Sequence, residues 1–485
     1  MYKYYNHLGF MNPYFAIDNN GLSIDLSFKQ IVSKINLKQI NITSIIEIIS
    51  HFHIFGDSTL IKGVYKSPWM AKPNSKKTDW EFAELPNHGN SIIGEEEISK
   101  GLFSRLQKEI INYCNDKSTI GLLLSGGMDS RITAIALQKL MKDKILDINV
   151  VAITWGVDNS RDVEYASKIA QKFGWDWLYL KLSPDDLLNN IIVTAERGCE
   201  YSPIHLHGMP QVRDLDGLDA IIASSFGDSV GRAEFSGMHL MNLKPVDYNI
   251  SNWFKFILSE PFDASRGSIT QDLERYHKNF PRKNQIEYFE IDQQAHYMRR
   301  MLNPCLSLIN ERIPLFQVFS DPFVFGYMWA LSPKVRNDKI YLNILNQTKT
   351  EIADIPWAKT GMKYPIRSGK PDDLEKLTIP YGSWIRNEIL NTIEQKVFNG
   401  KLEKLNIFNF DALEIGFNLN KNIFNGKRAT RLDEIFIWLA ALSDFVDIYQ
   451  VDCYEDNKTM QDSINGKLLS PAILMAFIGK NYFRR

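Results

Sequence analysis

The 485-residue sequence predicts an α/β protein: a parallel sheet with helices on both faces, a small mainly β segment before it and a helical part after it. Three observations carry that reading. From Glu95 to Ala223, short apolar runs alternate with segments whose apolar residues recur at helical spacing. The first of those runs stops in Ser125-Gly126-Gly127, as a buried strand entering a tight turn would. Beyond about Ile250, helical spacing dominates. Strands separated by helices of this length require right-handed βαβ crossovers, and therefore parallel pairing.

The elements follow in order. Residues 1–94 read as short strands and turns: Asp18-Asn19-Asn20-Gly21 is turn-like, and Leu22 to Phe28 alternates apolar with polar residues. Lys72 to Asn90, rich in Pro, Asn and Gly, reads as a linker. Ile98, Leu102, Leu106 and Ile110 place a helix over Glu95–Tyr113. Strands are expected at Ile120–Leu124, Ile148–Trp155, Trp177–Leu182 and Leu218–Ala223. Between them lie helices at Ser130–Met141, Asp162–Phe173 and Leu187–Arg197. The strongest helical segments afterwards are Gln285–Met301, Phe319–Leu331 and Leu432–Tyr449. The expected division is a small β-rich domain over 1–94 and a catalytic unit with a helical extension over 95–485.

Composition removes several classes. Lys+Arg total 56 and Asp+Glu total 57, a formal charge of -1, which argues against a generally basic nucleic-acid binder. Cys114, Cys199, Cys305 and Cys453 are scattered and form no C-x-x-C pair. A disulfide framework or cysteine-rich zinc site is therefore not expected, and a reducing cytoplasm fits. No apolar run approaches membrane-spanning length, and MYKYYNHLGF lacks the pattern of a secretory signal.

The chemistry centres on Ile120-Gly-Leu-Leu-Leu-Ser125-Gly126-Gly127-Met-Asp129-Ser130. Two glycines let the backbone turn tightly and point successive N–H groups at an anion. Ser125 and Ser130 add hydroxyls, and the following helix offers its positive N-terminal end. Asp129 puts a carboxylate in an anion-binding loop, which makes sense if Mg²⁺ lies between it and a phosphate. The chain has no G-x-x-x-x-G-K-[ST], so this is not a Walker loop. The plain alternative is a strand-to-helix turn with Ser130 as a helix cap.

Ser125-Gly-Gly-Met-Asp-Ser130 resembles the pyrophosphate-binding loop of the N-type ATP pyrophosphatases, whose fold is adenine-nucleotide α-hydrolase-like. Downstream segments resemble the asparagine-synthetase-like branch. Ala223-Ser-Ser-Phe-Gly-Asp228-Ser-Val-Gly231 is similar to its second acidic turn. Arg312-Ile-Pro-Leu, Ser320-Asp-Pro322, Ala330-Leu-Ser-Pro333 and Ile355-Pro-Trp-Ala-Lys359-Thr-Gly361 follow in family order. The resemblance covers about Glu95 to Gly361. It implies that Ser125, Gly126, Gly127 and Ser130 hold pyrophosphate, and that Asp129 and Asp228 hold Mg²⁺. It also implies that Lys359 neutralises charge at the α-phosphate and that Ile153 to Gly156 lie against adenine. Asp228 as a simple turn residue and Lys359 as a solvated lysine are the competing readings.

Two departures matter. Glutamine-dependent members carry a cysteine directly after the initiator methionine; here Tyr2 stands there, so no glutamyl thioester is expected at that position. Residues 1–94 then look like a reduced remnant of an Ntn-hydrolase-like glutaminase, or an unrelated β domain. Second, the synthetases have a glutamate three residues before the residue matching Asp228, where this chain has Ser225. Serine is a poor base at neutral pH. Glu200, Asp214, Glu234, His205 and His207 are unranked substitutes, and His205-x-His207 lacks an evident third metal ligand.

The implied activity is adenylation of a carboxylate by ATP with Mg²⁺, giving pyrophosphate, and then amide formation with an amine or ammonia, giving AMP. The favoured substrate is a small metabolite or sugar carboxylate, with nitrogen from free ammonia or a separate glutaminase. The alternatives are an intramolecular cyclase of β-lactam or lasso-peptide type, a tRNA-modifying adenylating enzyme, and a non-catalytic ATP-binding relative. Membrane and nucleic-acid partners are not expected.

Overall fold

The computed structural model describes residues 12–19, 21–232, 250–252, 254–265, 269–283, 285–374, 376, 378–452 and 459–482. Tyr2, Asn20, Glu234 and Cys453 lie outside the described residues. The first layer is an antiparallel sheet of β1 (Tyr14–Asp18), β2 (Gly21–Asp25) and β3 (Val64–Lys66), ordered β2-β1-β3. Asp18 pairs with Gly21 across the hairpin, where the turn residues were expected. The expected strand to Phe28 stops early, because Asp25 Oδ1 accepts from Ser27 N–H at 2.8 Å. Ser27 then caps a short helix, Phe28–Val32. Such local side-chain bonds divert a backbone from a ladder.

The Ile-rich run 42–51 is a helix rather than a strand, with Ile45, Ile46, Ile48 and Ile49 all buried. Burial around the helix overrides the β preference of isoleucine. Overlapping the stretch read as a linker, β4 (Ala71–Pro73) and β5 (Trp80–Phe82) form a second antiparallel pair.

The central sheet has five parallel strands: β6 (Thr119–Leu123), β7 (Asn149–Gly156), β8 (Asp176–Lys181), β9 (Ala220–Ala223) and β10 (Leu315–Gln317). Their order is β10-β9-β6-β7-β8. Strand order therefore reverses between β6 and β9, and the loops leaving those two strands diverge to leave a crevice at their carboxyl ends. Four of the strands and the helices Glu95–Cys114, Met128–Lys142, Arg161–Phe173 and Pro184–Glu196 fall where sequence spacing puts them. The fifth strand, β10, has only three residues, too few to show a period.

The sheet alternates as a doubly covered sheet should. Ile120, Leu122, Val150 and Ala152 share a core with Leu102 and Leu106 of the helix before β6. Leu123, Ile153, Ile221 and Ala223 face Val193, Leu206 and Val212 on the other side. A further cluster joins Ile45 and Ile49 to Trp438, Leu442 and Phe417, so residues near the start of the chain share a core with the helices after residue 380.

Buried charge fastens the early segment to the elements that follow the central sheet. The helix Gln285–Asp292 continues into a π-helical stretch, Gln293–Leu302. From that stretch Arg300, fully buried, donates to Gly56 O at 2.9 Å and Ser58 O at 2.7 Å, and pairs with buried Glu200 at 3.2 Å. Arg299 donates to Ser67 O at 2.7 Å and pairs with Asp57 at 2.7 Å. Gln294, one turn earlier, donates to Ser229 Oγ at 2.8 Å. By contrast Arg312, half exposed, pairs with Asp216 on the surface. Arg300→Ala leaves Glu200 as a buried unpaired charge and is expected to cost about 3–5 kcal/mol in denaturant unfolding. Arg312→Ala is expected to cost less than about 1 kcal/mol in the same measurement.

Candidate functional site

The Ser125–Ser130 loop is built from its own side chains. Leu124 N–H donates to Ile153 O at 2.9 Å, keeping the chain in register one residue beyond β6. Ser125 N–H then donates to Ser130 Oγ at 3.2 Å, and Gly127 N–H to Ser125 Oγ at 3.1 Å. The helix Met128–Lys142 starts immediately afterwards. Gly126 is required by crowding: a Cβ there would lie 2.7 Å from Ala358 Cβ and 2.9 Å from Arg161 O. Arg131, fully buried, donates to Ile355 O at 2.6 Å and Pro356 O at 2.8 Å. Its guanidinium thus ties the loop to the segment carrying Lys359 and is directed neither to solvent nor to the cavity.

The second half of the site follows β9. Ser224 Oγ donates to Thr133 Oγ1 at 2.8 Å, and Ser225 N–H to Gln317 Oε1 at 3.0 Å on β10. The chain then turns through Gly227–Gly231. Gly227 sits against Asp129 so closely that a Cβ would fall 2.5 Å from Asp129 Cβ. Asp228 is thereby held beside Asp129. Burial and then the Asp129 charge push the Asp228 carboxyl up to about 7. Burial also raises Asp129, against the pull of Arg232.

Cations surround this pair of acids. Arg232 Nε lies 3.5 Å from Asp129 Oδ1, and its Nη1 lies 3.2 Å from Asp338 Oδ1. Asp338 and Tyr341 come from the helix Asp338–Thr348, and Tyr341 Oη donates to Gly227 O at 2.9 Å. Arg367 pairs with Asp338. The charged groups of Arg232, Lys359 and Arg367 lie 5.4, 5.4 and 5.2 Å from the ring centroid of Trp357. One buried indole therefore lies within cation–π distance of three cations. Partial burial, then Arg367 and Arg232, pull the Lys359 ammonium down to about 8, with Asp228 opposing.

A cavity of about 380 Å³ opens at this crevice. Ser125, Gly127, Asp129 and Ser130 form one side. Thr154, Trp155, Gly156 and Val157, at the end of β7, form another. Ser225, His207, Ile379 and Asp162 are among the other residues that line it. Of the residues singled out by sequence, Ser125, Gly127, Asp129, Ser130 and Gly156 line the cavity, and Asp228 and Lys359 belong to the adjoining charge cluster. Gly126 lies behind the loop, and Ile153 is buried in the sheet core, where its carbonyl holds Leu124. A larger cavity, about 560 Å³, beside Lys66 and Arg197 shares no lining residue with this one.

The candidates for a base separate cleanly. Glu200 is spent on Arg300, and Asp214 pairs with Arg213 on the surface. His205 Nε2 lies 3.9 Å from Glu434. Glu234 is outside the described residues. His207 alone of the five lines the cavity. Its Nδ1 is 2.9 Å from Tyr381 Oη, and its carbonyl accepts from Asn190 Nδ2 at 3.0 Å. Its backbone is held at φ 47°, a left-handed conformation that a non-glycine residue keeps only when its surroundings impose it. Burial lowers the imidazole to about 4, so it is neutral at pH 7. Among the described residues no cluster of three or more His, Cys, Asp or Glu side chains forms a metal site. Arg367, Asp338, Trp357 and Tyr381 escaped sequence reasoning because their roles depend on contacts far along the chain.

Residues 104–206 match the family described as asparagine synthase. The curated proteins give no match. Among solved structures, NMN synthetase from Francisella tularensis aligns with a TM-score of 0.21 and 16% identity, covering 30% of this chain and 60% of that one. The U34-tRNA thiolase NcsA from Methanococcus maripaludis, determined with its 4Fe-4S cluster, aligns with a TM-score of 0.24 and 16% identity, covering 50% of this chain and 86% of that one. Overlays this loose say nothing about substrate. The matched stretch runs from the helix before β6 through the Ser125–Ser130 loop, β7 and β8 to the residue before His207.

Proposed function

We propose that the protein is an ATP-dependent ligase that adenylates a carboxylate, releasing pyrophosphate, and then transfers the acyl group to an amine or ammonia, releasing AMP. The family match supports ATP-dependent adenylation and amidation in general. The observation that carries the specific reading is the charge arrangement: two carboxylates forced together beside a glycine-serine loop, with three cations around Trp357 facing them.

In this reading the Ser125 and Ser130 hydroxyls, the backbone of Gly126 and Gly127 and the start of the helix Met128–Lys142 bind pyrophosphate oxygens. Asp129 and Asp228 fit Mg²⁺, which commonly takes one or two carboxylates and completes its shell with phosphate and water. When bound, Mg²⁺ supplies charge neutralisation at the leaving pyrophosphate. Lys359, Arg232 and Arg367 stabilise charge at the α-phosphate without having to reorganise. The β7 end from Thr154 to Val157 lies against the adenine, with Gly156 permitting close approach, while Ile153 acts from beneath by holding Leu124.

The second step needs a proton acceptor, and His207 is the one positioned for it. With Tyr381 Oη accepting from Nδ1–H, Nε2 is left with a free lone pair. The amine nitrogen bonds to the acyl carbon, the acyl–phosphate C–O bond breaks, AMP departs and the proton passes to Nε2. Phosphate charge in the site raises the basicity of a ring that burial otherwise depresses. Buried, high-pKa thiols weigh against sulfur delivery: burial holds Cys114 and Cys305 up near about 12. Cytoplasmic residence, a division at residues 1–94 and 95–485, and nitrogen from ammonia or a separate glutaminase complete the proposal. The acyl substrate is a small metabolite or sugar carboxylate.

Three outcomes test it. Pyrophosphate–ATP exchange across a panel of small carboxylic and uronic acids is expected to reveal a substrate, with AMP as the nucleotide product; Asp129→Asn is expected to lower exchange by about 100-fold or more. Formation of ADP and phosphate instead contradicts the reading. His207→Asn is expected to keep the exchange reaction while amide formation falls by about 100-fold, because general base catalysis serves only the second step. Finally, the raised Asp228 pKa means that the folded chain holds this proton more tightly than the unfolded chain. Its contribution to stability is therefore favourable below about 4, the ordinary carboxyl value, and is lost as pH rises through about 7. Asp228→Asn is accordingly expected to raise the melting temperature of the nucleotide-free protein at pH 8.

A further inference from the structure

The cavity beside Lys66 is walled by parts of the chain that lie far apart in sequence. Tyr14 of β1 stands opposite Lys66 of β3 in the antiparallel sheet. The other walls include the ends of two helices, Pro184–Glu196 and Arg431–Tyr449. Tyr14 Oη donates to Arg197 O at 3.0 Å, and Tyr449 Oη donates to Glu196 O. The end of the first helix is thus bonded both to the sheet and to the second helix, and the space between them is fixed in advance.

Lys66 is the unusual group in this lining. It is 4% exposed. Its ammonium lies 3.5 Å from the centroid of the Tyr14 ring and donates to Asn12 O at 3.3 Å. Glu200, the acid that favours its charge, is already paired with Arg300. An ammonium carries three N–H donors, and one carbonyl satisfies one of them. Burial pulls the group down to about 7 although Glu200 opposes it, as expected of a cation short of partners. Asn12 holds a second unspent donor. Ser67 Oγ donates to Asn12 Oδ1 at 2.7 Å, while Nδ2, on the other edge of the amide, is buried with no hydrogen-bond partner. Arg197, by contrast, is fully engaged: it donates to Tyr201 Oη, Pro304 O and Ser307 Oγ, and pairs with Glu311.

We propose that this cavity binds a small organic monocarboxylate, whose acid group meets Lys66 and Asn12 and whose uncharged body lies against Tyr14, Phe28 and Ile448. A carboxylate offers two oxygens, one for each donor. The lining carries three cations, Lys29, Lys66 and Arg197, and three acids, Asp25, Glu196 and Glu311. That balance leaves no surplus of positive charge for a phosphate dianion, and the acids repel one. Volume sets the size of the body: about 560 Å³ is more than a bare acetate fills and falls in the range of pockets that take whole metabolites. The site is separate from the crevice of Asp129, with which it shares no lining residue.

The test is fluorine NMR titration of the full chain with para-fluorobenzoate, and with para-fluorobenzamide and para-fluorophenylphosphonate as its neutral and dianionic analogues. Saturable binding of the benzoate is expected, at least about tenfold tighter than that of either analogue. Lys66→Met is expected to weaken benzoate binding by about tenfold or more. Leu26→Trp, at an exposed position of the lining, is expected to do the same by filling the space, with unchanged circular dichroism. Ile379→Trp, in the wall of the other cavity, is expected to leave benzoate binding as it is. Absence of saturable benzoate binding to the wild-type chain overturns the proposal, as does equal binding of the amide or tighter binding of the phosphonate. Binding that survives both Lys66→Met and Leu26→Trp, or that is lost in Ile379→Trp instead, places the benzoate elsewhere and equally overturns it.

Discussion

Two acidic side chains held together and partly withdrawn from water are the constraint on which the site depends. Gly227 can approach Asp129 only because it has no side chain, and that approach brings Asp228 beside Asp129. Burial and then this repulsion raise the proton affinity of Asp228, and together they cost stability at neutral pH. The surroundings offset it in part, with Arg232 braced between Asp129 and Asp338. A site that merely maximised stability would place an amide at one of these positions. Keeping two acids there is sensible when a hard cation and a polyanion are to bind together.

The rest of the molecule secures that geometry. Strand order reverses between β6 and β9, which brings two loops far apart in sequence to one crevice. Arg131 ties the first loop to the Lys359 segment, and Tyr341 ties the second to the helix that also supplies Asp338. Gln294 reaches Ser229 from the same π-helical stretch whose arginines clasp Gly56 to Ser58. The early segment is thus connected physically to the turn carrying Asp228 through one helix.

The sequence discloses some of this and conceals the rest for physical reasons. Strands β6 to β9 were legible because each is a short apolar run before a turn residue, and the loop was legible because its Gly, Ser and Asp are contiguous. Helix 42–51 was concealed because its isoleucines favour strands locally and only tertiary burial reverses that preference. β10 was concealed by its length. Ile153 was expected at the nucleotide, whereas the pleat that turns Thr154 to the cavity turns Ile153 into the core. Trp357 stood inside a recognised segment, yet nothing local marks it as the ring on which three cations converge. Ile379, which lines the cavity, and Tyr381, which bonds His207, show that the region after Gly361, opaque as sequence, contributes to the site.

The central claim is that Asp129, Asp228 and the cations around Trp357 form one pyrophosphate site completed by Mg²⁺. Calorimetric titration of pyrophosphate into the full chain, with and without Mg²⁺, addresses it without knowledge of the acyl substrate. The account predicts saturable binding that strengthens by at least about tenfold when Mg²⁺ is present, and loss of that enhancement in Asp129→Asn. Pyrophosphate binding of equal strength with and without Mg²⁺, or an enhancement that survives Asp129→Asn, would contradict it.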